Sequence, residues 1–82
     1  MQESEVTQIR VKGNLVGILG LKTVIDAMAA GYSRQSDDMI GMEMVRRLAA
    51  KNYIPDSARN YYAQAFVREF RRDLGQPVEE EE

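Results

Sequence analysis

The sequence predicts a small α+β domain, mostly helical, in which an N-terminal β-hairpin is followed by three helices in the order ββααα. Three observations carry that prediction. Residues 7–12 alternate polar and apolar with period two and run into Gly13-Asn14, a turn dipeptide followed by a second apolar run. Beyond Gly20, Leu21, Val24, Ile25 and Met28 recur at the spacing i, i+3, i+4, i+7 of one helix face. Further on, Ala58, Tyr62, Phe66, Phe70 and Leu74 form an apolar ridge at successive i, i+4 steps.

Each element follows from local chemistry. With Gly13 and Asn14 as a two-residue turn, Lys12 faces Leu15, Val11 faces Val16 and Ile9 faces Ile18. Ile9, Val11, Val16 and Ile18 then share one face of the hairpin, which must pack on helices because two strands alone are unstable in water. The first helix is expected over residues 21–30, with Gly31 as its C-cap. Ser36 is a good N-cap for a second helix over residues 37–51, and Asp37 and Asp38 complement the dipole in its first turn. Its buried stripe reads Ile40 or Gly41, Met44, Val45 and Leu48, with Ala49 at the edge, and Glu43 precedes Arg47 by the four residues that favour an ion pair. Asn52-Tyr53-Ile54-Pro55 breaks this helix, since the residue before proline avoids the helical region and proline has no N–H to continue the ladder. The third helix is expected over residues 56–74, opened by Pro55 and stopped by Gly75 and Pro77. The shared core is expected to contain Ile9, Val11, Val16, Ile18, Val24, Ile25, Met28, Leu48, Phe66 and Phe70.

Length and composition narrow the possible functions. At 82 residues the chain is one domain, and a chain of that size buries only somewhat more than about 60% of its unfolded surface, so a partner that extends the core is a natural complement. The absence of Cys removes disulfides, thiolate metal sites and thiol catalysis; the absence of His removes the usual proton shuttle and the commonest metal ligand. No cofactor is expected. The first ten residues contain no apolar stretch of signal-peptide type, and no apolar run approaches the roughly 18 residues of a membrane span, so a cytoplasmic protein without membrane contact is expected. The organisation expected is a disordered N-terminus over residues 1–5, a folded domain over 6–76 and an acidic flexible tail over 77–82.

Charge is segregated along the chain. The net charge is −2, but Glu3, Glu5 and the run Glu79 to Glu82 hold six of the thirteen acidic residues. Residues 6–78 carry eleven basic against seven acidic residues, a net of +4. Seven of the cations fall in the second and third helices and around their junction: Arg46, Arg47, Lys51, Arg59, Arg68, Arg71 and Arg72. If those helices are antiparallel neighbours, the cations could merge into a positive surface that attracts phosphate, with Tyr53 and Tyr61 available to stack on bases. The bland reading of the same residues is ordinary solvated helix surface, with Arg71 and Arg72 placed by the helix dipole. A helix-turn-helix fits poorly, because the turn lacks glycine and only Ser57 and Arg59 in the first turn of the third helix are natural base readers. Gly13, Gly17 and Gly20 match no phosphate-loop spacing.

Two further features stand out. Glu69 and Asp73, four residues apart, project toward the apolar ridge, where a carboxylate could act as a general acid or hold a hard cation; pairing with Arg46, Arg47 or Arg72 is the structural alternative. Met39 and Met42 lie off the best buried stripe, a surplus of hydrophobicity that suits an adaptable interface. Nothing in the sequence activates a nucleophile. The expected function is therefore a non-enzymatic protein–protein interaction or oligomerisation module, acting as an adaptor or regulator through a homodimer or by docking on a larger protein. The alternative is a nucleic-acid-binding regulator that uses the basic surface of the second and third helices.

Overall fold

A computed structural model of the chain describes residues 5–78, so the expectations for residues 1–4 and 79–82 lie outside the described residues. The order is ββααα, as the sequence predicts: strands β1 (Val6–Val11) and β2 (Asn14–Leu19), then helices α1 (Leu21–Tyr32), α2 (Asp37–Ala50) and α3 (Arg59–Asp73), with a short 3-10 turn over Asp56–Ala58 leading into α3. The hairpin lies against α3 and α1, and α3 packs along α2.

The hairpin turn sits one residue earlier than expected. Val11 faces Asn14, so the two turn residues are Lys12 and Gly13. Both have positive φ, 50° and 85°, as a type I′ turn requires, and this turn favours glycine at its second central position. The correction moves every partner by two residues, pairing Ile9 with Val16 and Thr7 with Ile18. A shift of two preserves the alternation of faces, so Ile9, Val11 and Ile18 still turn inward and are buried, while Val16 is half-buried.

Gly20, with φ 77°, turns the chain from β2 into α1; its N–H donates to the Glu5 carbonyl and its own carbonyl accepts from Val24. Tyr53 lies so close to Gly20 that a Cβ there would come within 2.4 Å of its ring. Gly31 is not a C-cap: α1 continues through it to Tyr32, because a single glycine lowers helix stability without ending the helix where packing holds the preceding turns. The Ser36 hydroxyl caps α2 by accepting from Met39 N–H at 3.2 Å. At the other end of α2, Asn52 adopts φ 62°, and Asn52 and Tyr53 donate to the carbonyls of Ala49 and Leu48, which is a Schellman closure with asparagine in the left-handed position.

Helix three also begins later than expected. Pro55 is extended, its carbonyl accepts from Ala58 N–H, and residues 56–58 form a 3-10 turn before α3 starts at Arg59 without a side-chain cap. Gly75 closes α3 as expected, with φ 75° and a Schellman pair from Gly75 and Gln76 to Arg72 and Arg71. Nine of the ten expected core residues are buried, Val16 being the exception. The core also takes in Leu21, Ile40, Met44, Val45, Ile54, Ala65 and Val67.

Candidate functional site

Helices α2 and α3 run antiparallel: Asp37 at the start of α2 is bound by Arg71 near the end of α3, and Gly41 faces Ala63 and Val67. A Cβ on Gly41 would stand 3.2 Å from Val67 Cγ2, so the two helices approach closely there. Small side chains at the crossing leave an open groove of about 1090 Å³ on the outer side, with Met39, Met42, Ala63 and Gln64 among its lining residues. Met39 is 49% and Met42 69% exposed. The excess of apolar residues on α2 over what the core can take is thus concentrated at this groove.

The seven candidate cations divide. Arg46, Arg59, Arg68 and Arg71 line the groove together with Asp37, Asp38 and Glu43; Arg47, Lys51 and Arg72 do not. Arg46 binds Glu43 through Nε and Nη2 at 3.0 and 2.6 Å, and Arg47 donates to the same carboxylate while lying 5.9 Å from the centre of the Tyr32 ring. The guanidinium hydrogen bonds of Arg46 and then Arg47 hold the Glu43 carboxyl down at about 2, well below its ordinary value of 4.5. The same carboxylate raises the Arg46 pKa. Arg59 pairs with Asp56 at 3.1 Å and Arg72 with Glu69 at 2.8 Å, while Arg68 donates to the Arg10 carbonyl of β1. The groove is therefore a surface of mixed charge.

Arg71 departs furthest from expectation. Its position on the helix suggests a solvated side chain opposite the apolar ridge, yet the side chain is only 21% exposed. Nε and Nη2 both donate to Asp37 Oδ1, Nη2 also to the Gln35 carbonyl, and Nη1 to Gln76 Oε1 at 2.7 Å and, at a longer 3.4 Å, to the Ser33 carbonyl. It clamps the α1–α2 loop to the end of α3. The stacking candidates have neighbours as well: Tyr53 packs on Gly20, while Tyr61 meets Tyr62 edge-on and holds Lys12 5.3 Å from its ring centre.

The acid pair separates into two ion-pair systems. Glu69 takes Arg72, one of the expected partners, but Asp73 takes Lys22 at 3.1 Å, which also binds Asp26 at 2.9 Å. The bonds to Asp26 and then Asp73 raise the Lys22 pKa. No cluster of three or more potential metal-ligating side chains occurs among the described residues. The Lys22–Asp73 pair spans fifty-one positions and had no periodic signal. The role of Gly41 in the groove likewise needed the antiparallel packing of α2 on α3 to become visible.

Comparison with known proteins finds no matching family model, no matching curated protein and no matching solved structure. Among the described residues no helix is long and apolar enough to cross a membrane.

Proposed function

We propose that this chain is a non-enzymatic, cytoplasmic protein–protein interaction module that docks a partner on the outer face of α2 and α3. The observation that carries the reading is the exposure of Met39 and Met42 beside a groove floored by small residues. Polarizable, unbranched methionine side chains repack around an incoming apolar surface, and their exposure is costly in an isolated domain. The surrounding charges supply a polar rim for register. The nucleic-acid alternative draws on Arg59 and Arg68 at the groove, but Arg46, Arg47, Arg59, Arg71 and Arg72 each bind a carboxylate, which lowers the positive potential available for phosphate.

The chain has no cysteine, so a single cysteine can carry a photo-crosslinker at a chosen place. Gln64→Cys puts it at the groove and Thr23→Cys on the exposed side of α1. Photolysis of the purified, labelled chain added to a cell lysate should give a discrete protein adduct from position 64 and none from position 23. Equal adducts from both positions, or none, would refute docking at this face; adducts with RNA or DNA from position 64 would favour the alternative.

A further inference from the structure

The exposed ridge of α2 is complementary to itself. Asp38, Met42 and Arg46 follow one another at i, i+4, i+8, all exposed on the side of α2 that lines the groove, with exposed Met39 beside them. About Met42 the pattern inverts: four residues before it stands an acid and four after it a base. Asp38 is exposed and enters no ion pair among the described residues, whereas Arg46, 66% exposed, is paired with Glu43 of its own helix.

We propose that the partner docked on this face is a second copy of the chain, related by a two-fold axis that passes beside Met42 perpendicular to α2. This rests on the reading of the α2–α3 face as an interface. A two-fold axis makes an isologous contact, in which residue i meets residue j and j meets i. Antiparallel packing of α2 on its own copy then sets Asp38 against the partner's Arg46 twice and brings the two Met42 side chains together at the centre. The two helix dipoles also run in opposite directions, the favourable sense. Gly41, next to Met42 in sequence, keeps the neighbouring wall low, so the partner's methionine has the groove to enter. A parallel arrangement would instead place Asp38 on Asp38 and Arg46 on Arg46, a like-charge juxtaposition that selects against it.

The test is sedimentation of the full chain from roughly 5 µM to 0.5 mM, a range that spans ordinary association strengths. Wild type should be dimeric in the micromolar range. Met42→Glu and Asp38→Arg should each weaken the dimer by about tenfold or more, the first by burying two charges at the axis and the second by facing Arg on Arg twice. Arg46→Glu alone should weaken it as well, through Glu on Asp. The double variant Asp38→Arg with Arg46→Glu restores opposite charges across the axis and should recover the dimer, as should an equimolar mixture of the two single variants. Circular dichroism of each variant separates loss of association from loss of fold. A wild type that stays monomeric to 0.5 mM, while crosslinking from position 64 still gives a discrete foreign adduct, overturns self-pairing and leaves the docking face intact. A dimer indifferent to Met42→Glu and to both charge reversals uses another surface and overturns self-pairing through α2, and the docking face itself then stands or falls on the crosslinking from position 64.

Discussion

Arg71→Ala tests whether the cation that sequence places on a binding surface is a structural clamp. The side chain has two well-formed hydrogen bonds besides its ion pair, to the Gln35 carbonyl at 3.0 Å and to Gln76 Oε1 at 2.7 Å. Each contributes about 1 kcal/mol net, because the acceptors regain water when the guanidinium is removed. The pair with Asp37 adds at most about 1 kcal/mol, since that carboxylate is 70% exposed and screened. The expected loss is about 2–3 kcal/mol, which lowers Tm by roughly 10–20 °C in a domain of this size. Arg71→Lys should recover only the ion-pair part, because an ammonium cannot span acceptors on three sides of a planar fork. Urea denaturation followed by circular dichroism, at 0.1 M and 1 M salt, measures both variants; most of the loss should persist at high salt, where the ion pair is screened. A loss below about 0.5 kcal/mol for Arg71→Ala, or full recovery by Arg71→Lys, would refute the clamp.

Four other outcomes are expected. Phe66, fully buried and stacked on Tyr62 at 5.5 Å, should cost about 3–5 kcal/mol as Phe66→Ala, most of the stability of a domain this small; near-unchanged thermal unfolding would contradict its place in the core. Gly31→Ala should stabilise by about 0.5–1 kcal/mol, because Gly31 lies inside α1 with nothing within 4 Å of a Cβ, and a lower Tm would mean that α1 ends earlier. Gly20→Ala should lower Tm sharply, since it combines a positive φ with a clash against Tyr53, and an unchanged Tm would place that ring elsewhere. Glu43, 15% exposed, has a folded pKa depressed to about 2, so its contribution is fully present above its ordinary value of 4.5 and is lost as pH falls toward 2. Discounted for the exposure of Arg46, it is worth about 1–2 kcal/mol; Glu43→Gln should lose that amount at pH 7 and flatten the acid limb of a stability–pH curve between pH 4.5 and 2.

Sequence by itself determined the elements and the faces they bury. Strand alternation, the i, i+3, i+4 stripes, the Ser36 cap and the Gly75 stop are written in nearest-neighbour chemistry, and they led to nearly the whole core. The buried face of the hairpin survived a misplaced turn and the register error it brought, because the period of a strand is two and a shift of two residues leaves each side chain on its own face. The surplus of Met39 and Met42 was also legible, as apolar residues that one helix stripe cannot absorb. Tertiary structure decided what distance in the chain conceals. Which carboxylate takes which cation depends on the docking of one helix on another: Asp73 finds Lys22 on α1, and Arg71 reaches back to the loop that opens α2. Ile54, in a segment with no periodicity, is buried only because the link between α2 and α3 folds back onto the core. The seven cations are uniform as a list of charges, but antiparallel packing sends four of them to the groove beside three acids and the rest elsewhere. Charge in a sequence is additive, whereas the field at a surface depends on which charges the fold brings within a few ångströms of one another.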